Sequence, residues 1–276
     1  MKGAGVSANP DDVSTAVSEA NEERNESREP RRRGLSKCSR SIRLTLNSTV
    51  SEPAGLKTPR SLQPNMTASE FVDAVSEANQ TALSRLGSSK ALYAETDGDL
   101  DPEPVLRAAA IAEDAASETF AAWADNEANA EAADLFATVA DEEADHFETV
   151  AAELDDPPRA ADNDVPAIQS VLREFDNTVE RVGGLVGRCL VAKKSKEQYT
   201  GYFTGEADPQ TASLFRGLGS DVEAQIDAAT DLVDAVCESD DDRERAQAAA
   251  SEAIQAAYDE YTESLEAMGV NPKPVC

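Results

Sequence analysis

Histidine occurs once in 276 residues, aromatic residues make up 5% of the chain, and 25 Lys and Arg stand against 54 Asp and Glu, a formal charge of −29. So large a deficit of positive charge disfavours nucleic acid as a partner, because neutralising a phosphate backbone takes Lys and Arg. Cys38, Cys189, Cys237 and Cys276 are scattered, with no C-x-x-C pair. That spacing excludes a zinc ribbon and gives no sign of a disulfide framework. A reducing cytoplasm is the expected location. No run approaches the roughly 18 apolar residues of a membrane span, so no membrane association is expected.

What is present divides the chain in two. Residues 1–65 hold 11 Lys and Arg against 8 Asp and Glu, whereas residues 66–276 hold 14 against 46. The first segment is rich in Ser, Asn, Pro and Arg and lacks apolar periodicity. It cannot bury enough surface to offset its ordering entropy, and is expected to be disordered. Met66, followed by Thr67, Ala68, Ser69 and Glu70, opens a clean amphipathic helix. This junction leads to the expectation that translation of the native protein begins there, leaving 66–276 as an acidic helical domain. A surplus of carboxylates in an Ala-rich chain suits a surface kept hydrated at very high salt, so the charge by itself identifies no partner.

From about residue 68 apolar residues recur at steps of three and four, with no period-two alternation, which predicts an all-α domain. Expected helices are 69–93, 103–128, 130–154, 166–203, 209–237 and 241–268, the fourth interrupted by Gly183, Gly184 and Gly187. A shift of 79 residues places Phe120 on Tyr199, Trp123 on Tyr202, Glu127 on Glu206, Leu135 on Leu214 and Phe136 on Phe215. Such a match predicts a duplicated helix hairpin, and two hairpins bury their apolar stripes most simply as an up-down four-helix bundle.

Three residues on those stripes could carry chemistry. Phe136, Glu143 and Val150 are seven apart, so they drift only about 20° per step around the helix and face one way. Glu143 therefore points inward, and His146, three residues on, shares its edge. Glu113 holds the same kind of position on the stripe Leu106, Ala109/Ala110, Ala116, Phe120 and Trp123. A Glu-x-x-His step also occurs on the surface of acidic helices, but core-facing carboxylates must be protonated, paired or bound to a cation. Carboxylates with one imidazole suit iron or manganese, which makes Glu113, Glu143 and His146 the candidate metal ligands.

The stretches Ala112 to Ala124 and Ala133 to Phe147 resemble the first hairpin of rubrerythrin, in the ferritin-like superfamily. In that family a Glu precedes an aromatic by seven residues, as Glu113 precedes Phe120, and a Glu-x-x-His follows on the next helix, as at Glu143 and His146. The resemblance implies a ferritin-like bundle with a non-haem di-iron centre that reduces hydrogen peroxide or acts on dioxygen in oxidative-stress protection. The chain departs from it in the second hairpin, where the 79-residue shift places Ala192, Val222 and Gln225 in the positions of Glu113, Glu143 and His146. Glu223 stands one residue off, turned by about 100°. The two Cys pairs of a rubredoxin-like domain are also missing, and the sequence identifies no redox partner.

Two completions follow. A homodimer whose two-fold axis passes through the Glu113, Glu143 and His146 face would pool two half-sites into a di-iron centre. Alternatively the chain keeps a single weakly held ion with waters in open positions, or it holds none and serves as a metal-free interaction or regulatory module. Lys193, Lys194 and Lys196, the domain's basic cluster, are expected to balance nearby carboxylates.

Overall fold

A computed structural model describes residues 68–160 and 165–272, all within the compact unit Arg60–Cys276. The expected disorder of 1–65, the start at Met66, and Cys38 and Cys276 lie outside the described residues. Among those described, nine helices and no strand form, as the periodicity predicts: α1 Ala68–Ala78, α2 Gln80–Leu86, α3 Ser89–Glu95, α4 Pro102–Asn126, α5 Ala130–Ala151, α6 Ala167–Leu172, α7 Thr178–Gly205, α8 Pro209–Val236 and α9 Asp240–Ala267. No helix among them is long and apolar enough to cross a membrane.

Helix ends follow local chemistry. Pro102 and Pro209 open α4 and α8 at positions whose N–H needs no partner. The side chains of Asn129, Asn177, Asp208 and Ser239 accept from the first free backbone amides of α5, α7, α8 and α9. Two expected boundaries are corrected. The run 69–93 is three short helices, separated at Asn79, whose side-chain amide also donates to Val75 O at 2.8 Å, and at Gly87, which ends α2. The run 166–203 breaks at Arg173–Asn177, ahead of the glycines, which lie inside α7.

Those glycines serve packing. A Cβ at Gly183 or Gly187 would collide with the backbone carbonyls of Ala246 and Ala250, so α7 and α9 touch main chain to main chain. Residues 240–267 are therefore an additional helix laid on α7, beside the pairs α4–α5 and α7–α8.

The turn Glu206–Asp208 between α7 and α8 lies 79 residues beyond the turn Glu127–Asn129 between α4 and α5. Both hairpins span the same two apolar clusters. One holds Phe120, Phe136, Val186 and Val233, and the other Val105, Val150, Phe203 and Phe215. Reading each helix from cluster to cluster, α4 and α8 run one way and α5 and α7 the other. Direction thus alternates within each hairpin but not between them, because the link from Ala152 to Asn177 returns the chain to its starting end before α7. Between the two clusters lies a layer of buried polar residues.

Candidate functional site

Glu113 of α4, Glu143 and His146 of α5, Arg188 and Lys196 of α7, and Gln225 of α8 make up that layer, and all six are buried. The three residues expected from the stripes do converge: one ligand atom from each of Glu113, Glu143 and His146 lies within 4.8 Å of the others. They converge inside one chain, with both carboxylates fully buried.

Arg188 meets Glu143 as a fork, Nη1 donating to Oε1 at 2.7 Å and Nη2 to Oε2 at 2.6 Å. Lys196 donates to Glu113 Oε1, and Arg188 Nη2 lies 3.5 Å from Glu113 Oε2. Two acids therefore face two bases in the buried interior, where forked, charge-assisted bonds are strongest. Gln225 Nε2 adds a bond to Glu143 Oε1 at 2.9 Å and another to Glu142 Oε2 at 3.0 Å. Gln225, the 79-residue counterpart of His146, thus sits at the site as a hydrogen-bond donor. Ala192, the counterpart of Glu113, is flanked on α7 by Arg188 one turn before and Lys196 one turn after. Glu223 is turned outward and pairs with Lys193 at 2.7 Å.

Environment separates the two acids. Burial alone would raise both; the Arg188 guanidinium holds Glu143 well below the usual carboxylate range. Glu113 stays raised by burial despite Lys196. Burial would lower His146, but the neighbouring Glu143 carboxylate outweighs that and raises it. His146 Nε2 lies 3.4 Å from Asp221 Oδ2 and Nδ1 lies 3.8 Å from Glu143 Oε2. The Cys189 thiol, pushed up to about 12 by burial, faces Gln225 Oε1 at 3.5 Å.

A first-row metal fits this site by donor type, since Glu113 Oε2 and His146 Nδ1 are buried without a hydrogen-bond partner. It does not fit by charge. The acids are already balanced by Arg188 and Lys196, and a divalent ion among them would leave two positive charges uncompensated, at several kcal/mol each.

The stripes reveal the acids, and Lys196 does balance a carboxylate as its cluster was expected to, but Arg188 was not anticipated. Arg188, Ala192, Lys196 and Tyr199 stand at i, i+4, i+8 and i+11, a helical stripe that was legible had charged residues been admitted to it. Phe120 and Trp123 are core aromatics in edge-on contact, with ring centres 5.4 Å apart. Tyr199 and Tyr202 donate to Glu95 and to the Leu100 carbonyl, at 2.8 and 2.5 Å. Lys193 and Lys194 pair with Glu223 and Glu197 at the surface, so the basic cluster does balance carboxylates. Searches of family models, curated proteins and solved structures find no match to this chain.

Proposed function

We propose that the chain is a ferritin-like bundle, similar to rubrerythrin, whose interior acids are served by two basic side chains in place of a metal, and that it works as an interaction or regulatory module without redox chemistry. The pairing of α4–α5 with α7–α8 at a fixed offset and the long link between parallel α5 and α7 support the ferritin-like reading. One observation carries the functional reading: Arg188 and Lys196 engage Glu143 and Glu113 from the helix that offers only Ala192 where a second acid is needed. The test is metal content and thermal stability of protein purified in high salt, with and without chelator. A metal-poor protein whose melting temperature ignores both chelator and added Fe(II) or Mn(II) is expected. Stoichiometric metal that disappears in His146→Ala overturns this reading.

The second reading is a Glu113, Glu143 and His146 site for iron or manganese acting on peroxide or dioxygen. The partnerless Glu113 Oε2 and His146 Nδ1 favour it. It requires Arg188 and Lys196 to withdraw, so Arg188→Met should then gain metal affinity.

A further inference from the structure

On the side of α7 that carries Ala192, a half-enclosed recess of about 410 Å³ opens between α3, α4, α6, α7 and α9. Its walls are apolar where Ile111, Ile168 and Val191 face it, and three carboxylates, Glu95, Asp97 and Glu260, line it. Arg188 and Lys196 also reach it, but their charge is spent on Glu143 and Glu113. The recess therefore carries excess negative charge.

Its hydrogen-bonding groups are lopsided in the same sense. Tyr199 gives its hydroxyl proton to Glu95 Oε2, and Glu260 Oε1 takes the Ala167 amide at 3.1 Å. Neither Glu95 nor Glu260 pairs with a described Lys or Arg. Gln169, only 2% exposed, lines the recess with Oε1 buried and without a partner. A buried acceptor left unbonded costs about 1–3 kcal/mol, so a donor that reaches it is favoured. Glu95 is open to the recess but crowded by protein, and this desolvation raises it to about 7 against the hydrogen bond from Tyr199 and the more distant charge of Lys196.

We propose that this recess binds a small organic cation, an ammonium-bearing molecule with an apolar stem such as a linear diamine, using Glu95, Glu260 and the carbonyl oxygen of Gln169 as acceptors. A bare metal ion suits it poorly. Glu113, Glu143 and His146 alone among the described residues gather three ligand atoms within 4.8 Å, and the recess acids do not converge in that way. Separated acceptors along apolar walls match an extended molecule with donors at its ends. The proposal rests on the ion pairs of Arg188 and Lys196, but it is tested on residues outside that site, so its failure can be told from failure of the reading above.

The experiment is calorimetric titration of the full chain, in folding salt, with 1,4-diaminobutane and with uncharged 1,4-butanediol of equal length. Saturable binding of the diamine alone is expected, weakened about tenfold or more in Glu95→Gln and in Glu260→Gln, and abolished in Ala108→Leu, which fills the recess from α4. Thermal melts confirm that each variant folds. No saturable binding at millimolar diamine, equal binding of the diol, or binding indifferent to both Glu95→Gln and Ala108→Leu overturns the proposal.

Discussion

Arg188 grips both oxygens of Glu143, at 2.7 and 2.6 Å, across the interior from α7 to α5. Removing one partner leaves the other buried without its forked ion pair. Arg188→Met should cost about 3–5 kcal/mol. The paired change Arg188→Met with Glu143→Met should recover most of that loss, since apolar side chains of similar volume can replace a buried ion pair. Thermal denaturation of the two single variants and the double variant checks this; additive losses would refute it.

Lys193 and Lys196 are one turn apart on the same helix and should behave oppositely. Lys193, about a third exposed, pairs with the exposed Glu223, and Lys193→Met should change stability by no more than about 1 kcal/mol. Lys196 is buried against Glu113. Lys196→Met should cost about 3 kcal/mol or more, read from the same melts.

Gly183 and Gly187 face the backbone of α9, whereas Gly201 on the same helix has nothing within 4 Å of a built Cβ. Alanine at either of the first two should destabilise by about 1–3 kcal/mol through overpacking. Gly201→Ala should stabilise by up to about 1 kcal/mol through helix propensity. A destabilised Gly201→Ala, or a neutral Gly187→Ala, would contradict the packing described.

Glu95 sets a pH dependence. Its folded-state value of about 7 is above the ordinary 4.5. The native state therefore holds the proton more tightly than the unfolded chain. The resulting stability is full below about 4.5 and is lost as pH rises through about 7. Glu95→Gln keeps an acceptor for Tyr199 and does not titrate, so its melting temperature relative to wild type should climb from pH 4.5 to 7.5. A constant difference across that range would show that Glu95 is not raised.

How far the sequence could be read depended on which residues were counted. The seven-residue step from Phe136 through Glu143 to Val150 fixes the direction of Glu143 with no tertiary knowledge, and the 79-residue offset appears in both turns. Arg188 stayed hidden, and the inward turn of Lys196 with it, because long basic side chains usually lie on solvated faces, and only a facing acid reveals that they point into the core. The short helices of 68–95 escaped periodicity for a related reason. Their apolar residues keep helical spacing across Asn79 and Gly87, so the breaks there leave no trace in the periodicity.

The seam between α7 and α9 brings the backbones together at two glycines, Gly183 and Gly187, and elsewhere its small residues specify register weakly. Ala246, Ala249, Ala250, Ala253 and Ala257 present nearly the same small surface after every turn. The two glycines alone mark where α9 may approach α7 that closely. Latches spaced along α9 reinforce that position from outside the seam. Arg243 reaches Asp234 at 2.7 Å, Ser251 receives the amide of Asn79 at 2.9 Å, and Glu260 holds the Ala167 backbone. Three partners on three different segments thus give an otherwise repetitive helix a single address.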